Sequence, residues 1–188
     1  MIIKCYNEKH EHLLFIDLEF NNQDLVQFAG LLFKNIDEDT YQLENSCNIY
    51  IARTVCYPFA EYTAITNNFL IENGIPLKDA KLLIEDFLEG IDLDNLCIIG
   101  HGLKNDRIIL NNNGIEFIHK TNGKPVDGYC TFNNAKRILG RENRLSLADL
   151  CLECGYYLHH AHNAYNDVWG EVAVYSYLRK IEEQNKGE

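Results

Sequence analysis

The stretch Leu13–Phe20 reads LLFIDLEF, an apolar run with two acids set inside it, Asp17 and Glu19. Its length and its aromatic and aliphatic content predict a β-strand over His12–Phe20. Side chains two apart on a strand point to the same face, so Asp17 and Glu19 share one side. Two carboxylates on one face of an apolar strand repel each other and lose hydration unless a positive charge lies between them. A hard divalent cation with oxygen ligands is the natural partner, and Mg²⁺ or Mn²⁺ suits carboxylates. Taken by itself, an edge strand with one wet face accounts for the pattern equally well.

Working outward, Leu25–Lys34 and Asn48–Ala52 read as two more strands, separated by the polar stretches NNQD and NIDEDT. The period then changes: Leu77, Ala80, Leu83, Ile84, Phe87 and Leu88 fall at helical spacing before Gly90. Leu96–Ile99 is a short buried strand, and Gly100-His101-Gly102 turns the chain into a helix over Leu103–Leu110. One or two weak strands lie around NNNG and KTNGKP. Thr131–Leu139 and Leu145–Cys154 read as short helices. A last helix over Ala164–Ile181 carries Val168, Val172, Tyr175 and Leu178 on one stripe, and residues 182–188 read as a fraying charged tail. A strand meander followed by alternating helices and strands predicts an α/β fold, a central mixed five-stranded sheet with helices on both faces. The 188 residues suit one domain, with its core over about 13–181.

Apolar residues make up 46% and charged residues 24%, which excludes disordered and collagen-like classes. The opening MIIKCYNEKHEH has no apolar signal-peptide core, and no apolar run has the length of a membrane span, so the expectation is a cytoplasmic protein with no membrane partner. The seven cysteines then read as reduced thiols. A net charge of −11 argues against a protein that coats nucleic acid. Residues 104–144 are different, with eight Lys and Arg against four acids, a local basic strip able to steer a phosphate chain.

Two further acids complete a pattern. Asp106 falls in the first turns of the helix after the buried strand, where an acid also has a plain use against the helix dipole. His162-Asn163-Ala164-Tyr165-Asn166-Asp167 opens the last helix, so a loop histidine and a first-turn acid can face one spot, with Asn163 as a helix cap. Together Asp17-x-Glu19, Asp106 and His162-x4-Asp167 resemble, in order and spacing, the three motifs of the DEDDh 3′-to-5′ exonucleases. That family includes ribonuclease T, oligoribonuclease and the proofreading epsilon subunit of bacterial replicative DNA polymerase. Thr63-Ala64-Ile65-Thr66 is similar to the family's Thr-Gly-Ile-Thr loop, with Ala64 in place of glycine, and Leu145–Leu150 to the helix before the third motif.

The resemblance implies a ribonuclease H-like fold and a metal-dependent enzyme acting on single-stranded RNA or DNA 3′ ends. It implies two divalent ions, with Asp17 bridging both, Glu19 and Asp167 on the nucleophile side, Asp106 on the other, and His162 as general base. Leu18, Phe20, Ala64 and Asn105 are the expected substrate-binding positions, although Leu18 and Phe20 are equally well read as core. Asp17-Leu18-Glu19-Phe20 and the second-motif version Gly100-His101-Gly102-Leu103-Lys104-Asn105-Asp106 resemble the RNA-acting branches and lean the reading slightly towards RNA, while Asn105 stands where relatives carry a phenylalanine that helps hold the terminal nucleotide. A DNA proofreading or repair enzyme, which would call for a polymerase partner, is the alternative, and a non-catalytic binding module or an endonuclease stands behind it. Several relatives are homodimers. Cys151-x-x-Cys154 with His159 and His160 has the residue types of a zinc site, but one pair at i, i+3 on a helix is a weak pattern. His101 reads as a residue that shapes its turn.

Overall fold

The structure, a computed structural model, describes residues 1–141, 143 and 145–186. Among the described residues, six strands form one sheet: β1 (Ile2–Lys4), β2 (His12–Asn21), β3 (Asp24–Asp37), β4 (Thr40–Tyr50), β5 (Leu96–Gly100) and β6 (Asp127–Cys130). Seven α-helices among the described residues accompany them: α1 (Tyr57–Thr63), α2 (Asn67–Asn73), α3 (Leu77–Phe87), α4 (Leu103–Asn112), α5 (Thr131–Leu139), α6 (Leu147–Glu153) and α7 (Ala164–Lys186). The strand order is β1-β4-β3-β2-β5-β6. The first four strands pair antiparallel, while β5 and β6 join parallel to β2, so the sheet is mixed.

Alternation along β2 decides where its acids go. Leu14, Ile16 and Leu18 point into a core built with α3 and α4, through Ala80, Ile84, Leu103 and Ile109. Leu13 and Phe15 point the other way, beneath Val168, Val172 and Tyr175 of α7. Asp17 and Glu19 continue that second face towards the end of the strand, where α7 begins. Leu25–Phe33 of β3 is buried throughout because the sheet is covered on both sides there, and it reads as a nearly continuous apolar run.

The sheet has six strands where five were expected. The sixth, β1, is a three-residue edge strand whose Ile2–Lys4 pair with Gln42–Thr40, too short to leave a periodic signal. The third meander strand also starts eight residues earlier than Asn48. Gln42, Glu44, Ser46 and Asn48 face solvent along β4, so half of it looks like a loop. Helices α1 and α2 fill the stretch after Val55 that carried no helical stripe. The supposed fraying tail is helical through Lys186; residues 187 and 188 lie outside the described residues. No helix among the described residues is long and apolar enough to cross a membrane.

Candidate active site

Two elements far apart in the chain, β2 and α7, bring three of the acids to one place. Asp17 and Glu19 stand on β2, and Asp167 projects from the first turn of α7. One carboxylate oxygen from each lies within 4.8 Å of the other two. Gln27, paired with Glu19 across β2 and β3, holds the start of α7 in register. Its Oε1 accepts from the Ala164 N–H at 3.1 Å, and its Nε2 donates to Asn163 Oδ1 at 3.4 Å. Asn163 caps the helix as expected, accepting from the Tyr165 N–H at 3.2 Å. Asp106, in the first turn of α4, is buried beside Gly100, the last residue of β5. A methyl on Gly100 would sit 3.3 Å from Asp106 Oδ2, so glycine lets that carboxylate approach the sheet.

The electrostatics are unusual for an unpaired interior. Burial pushes Asp17 well above the carboxylate range, and the charges of Asp106, Asp167 and Glu19 add to the shift. Burial carries Glu19 up to about 8, helped by Asp167. Asp106 rises to about 7 and Asp167 to about 6, both through burial. Asp106 Oδ2 and Asp167 Oδ1 are buried with no hydrogen-bond partner among the described residues. Orphaned carboxylate oxygens at this density are costly without positive charge, and a hard divalent cation supplies it with the right ligand chemistry. The donor set therefore fits divalent metal.

His162 occupies a left-handed backbone conformation (φ 70°) on the loop before α7. Its N–H donates to Asp167 Oδ2 at 2.9 Å, which ties the strained turn to the acid. Its ring lies against Tyr62 of α1, with centroids 3.8 Å apart and planes 31° from parallel. Burial moves the imidazole below its ordinary range. Both rings open on a cleft of about 430 Å³ lined also by Asp17, Asp167, Asn105, Phe132 and Leu147.

Of the expected substrate contacts, the structure brings Asn105 to the cleft. Leu18 is 5% exposed and packs in the core between sheet and helices, so it does not reach the cleft. Phe20 is exposed near the end of β2, after the register shift at Glu19. Ala64 ends α1 at φ 62°, the left-handed position where glycine would be free of strain. His101 shapes its turn: Nδ1 pairs with Thr131 Oγ1 at 3.0 Å and Nε2 with the Leu145 carbonyl at 3.2 Å. Cys151 is buried, and Cys154 Sγ donates to the Cys151 carbonyl at 3.2 Å. The described residues gather no metal-ligand group around that pair.

Much of the basic strip is used by the protein itself. Arg107 donates to the Val126 carbonyl at 2.7 Å, Arg137 pairs with Glu182, and Arg141 with Glu153 at 2.5 Å. Lys104 is exposed next to Asn105, and residues 142 and 144 lie outside the described residues. Three residues that the motif reading missed also surround the site: Tyr62, Phe132 and Glu171. Glu171 lies one turn beyond Asp167, in a helix stripe that is otherwise apolar, and that misplaced acid was the signal for it.

No family model matches the chain, and no curated protein matches it. Solved structures do. Exonuclease X, in complex with 5′ overhanging duplex DNA, superposes with a TM-score of 0.63 at 18% identity over 93% of each chain. The nuclease domain of 3′hExo, described as a DEDDh family member and bound to rAMP, gives 0.69 at 10% identity over 95% of this chain and 94% of that one. Exonuclease I of E. coli, in complex with a dA16 oligonucleotide, gives 0.71 at 15% identity, over 93% of this chain and 42% of that one. The chain therefore has the ribonuclease H-like α/β fold that these exonucleases share.

Proposed function

We propose that this protein is a 3′-to-5′ exonuclease that releases nucleoside 5′-monophosphates from single-stranded ends, with RNA favoured over DNA. The observation that carries the reading is the convergence of Asp17, Glu19 and Asp167 within 4.8 Å beside a loop histidine on an open cleft. The solved exonucleases of the same fold support it. The slight lean to RNA rests on the pattern Asp17-Leu18-Glu19-Phe20 and on the second-motif version Gly100–Asp106; a DNA end is the alternative strand.

In this reading Asp17, Glu19 and Asp167 would hold one divalent cation, and Asp17 with Asp106 would hold a second. Two ions, Mg²⁺ or Mn²⁺, would lower the cost of forming hydroxide and neutralise charge on the leaving oxygen. His162 takes the proton from the attacking water as its oxygen bonds to phosphorus and the bond from phosphorus to the 3′-oxygen breaks. The leaving 3′-oxygen takes up a proton and becomes the new 3′-hydroxyl. An imidazole held below its ordinary pKa is neutral at pH 7, as a base must be. Tyr62 fixes one face of that ring and offers its exposed edge to a terminal base.

The test uses 5′-labelled RNA and DNA of one sequence, with Mg²⁺, Mn²⁺ or chelator, beside Asp17→Asn. A ladder shortening from the 3′ end, dependent on metal and lost in the variant, is the expected result. Internal cuts, or cleavage that survives chelation, would overturn the reading.

A further inference from the structure

One buried acid has no part in the chemistry above. Glu171 lies on α7 one turn after Asp167, on the helix face turned to the sheet, and is 0% exposed. Its Oε1 accepts from the His101 N–H at 2.6 Å, which docks the turn between β5 and α4 onto α7. Its Oε2 is buried with no hydrogen-bond partner among the described residues. The charges acting on it are Asp17 first, then Asp106 and Asp167, every one a carboxylate. The helix stripe offered a place for valine or leucine, as at Val168 and Val172, and an acid there has no packing advantage.

We propose that Glu171 is a fifth carboxylate of the centre, adding a negative charge on the Asp106 side that raises the affinity of the second divalent cation. The inference rests on the metal-centre reading of the site. Asp17, Glu19 and Asp167 already surround one position, while Asp106 stands outside that close group. A second position served by Asp17 and Asp106 alone would be poor in ligand charge. Glu171 stands outside the close group as well, so its part is a charge just beyond the ligands, while its Oε1 fixes the turn that leads into the helix carrying Asp106. Partners just outside a metal's ligands alter its affinity by about 10- to 100-fold.

The test is Mn²⁺ binding to the intact protein, followed by calorimetry and by the electron paramagnetic resonance of free Mn²⁺, with no substrate present. The wild type is expected to take two ions. Glu171→Gln keeps an oxygen for the His101 N–H and removes only the charge; the weaker site should lose about tenfold in affinity, and the tighter one should hold. Glu171→Leu removes both charge and hydrogen bond and should weaken the same site at least as much. Thermal melts of the metal-free variants at or above the wild type would show that both fold. Unchanged binding in Glu171→Gln, or a loss confined to Glu171→Leu, would overturn the proposal and leave Glu171 as a neutral clamp on the turn. Wild type and Asp17→Asn binding Mn²⁺ equally well would instead sink the metal-centre reading itself.

Discussion

Helix α7 buries acids near both its ends, and the two groups have opposite surroundings. Around its later turns, Glu8 is folded in from the chain before β2. It accepts from Tyr175 Oη at 2.5 Å, pairs with His10 Nδ1 at 2.6 Å, and lies 3.5 Å from Arg179. Burial pushes the Glu8 carboxyl up, but the hydrogen bonds from His10, Tyr175 and the Lys9 N–H, with the Arg179 charge, bring it down to about 2. At the first turns, Asp167 and Glu171 meet Asp17, Glu19 and Asp106, and among the described residues the charges that act on this group are carboxylates. One helix thus carries a charge cluster completed inside the protein and another left for something outside it to complete. Polar burial by itself therefore does not mark a functional site; burial with the counter-charge missing does.

That contrast can be broken by experiment, most severely at the incomplete cluster. Asp17→Asn or Asp167→Asn should lower turnover by about 10³-fold or more, since each removes a charge the cations need. Single-turnover assays at saturating Mg²⁺ check this, and near-normal rates would end the assignment. The completed cluster should answer in stability instead. Glu8→Leu removes the Arg179 pair and the Tyr175 hydrogen bond, leaves Arg179 with Glu182 as its carboxylate partner, and should cost about 2 kcal/mol in urea unfolding, with cleavage little changed.

The pH dependence of stability sharpens the same difference. Glu19, Asp106 and Asp167 titrate in the folded protein at about 8, 7 and 6, above the value of about 4 for unfolded carboxyls. A raised pKa means that the folded state holds protons the unfolded state has released. The stability tied to these groups is present below about pH 4 and is lost as pH rises through 6 to 8. Chelated protein should therefore lose on the order of 2 kcal/mol across that range, and Mg²⁺ should restore it by favouring the ionised acids. Asp106→Asn should flatten the metal-free curve. In the activity profile, protonation of His162 should draw the acid limb below the ordinary histidine range, because burial lowers its pKa. His162→Ala should remove that limb together with most of the rate.

The smallest effect is expected at Ala64. Glycine there relieves a left-handed backbone at φ 62° but loosens the unfolded chain, so Ala64→Gly should gain less than about 1 kcal/mol. A loss of stability on thermal melting would show that the loop after α1 depends on the alanine methyl.

The motif acids were legible because each signal is local. Asp17 and Glu19 interrupt an apolar strand two residues apart, and His162 with Asp167 brackets a helix start capped by Asn163. Asp106 was legible only through the order and spacing of the three motifs, since an acid in a first helical turn has an ordinary use. Leu18 shows the limit of a motif: its place between the two acids put it among the substrate contacts, but strand alternation turns it into the core. The sixth strand and most of β4 were hidden because edge strands are short and half-polar. Tyr62 reaches His162 from a helix 100 residues earlier, and no local pattern joins them.

The sequence alone was enough for the α/β class, the face shared by Asp17 and Glu19, and the loop histidine before α7, because alternation and helix capping act over a few residues. The tertiary structure alone decided the rest. Packing α7 across β2 sets Asp167 beside Glu19, pins the helix through Gln27, and buries Glu171 against the turn at His101. Those relations depend on how two faces meet, and burial and missing counter-charge exist only once the chain has closed around them.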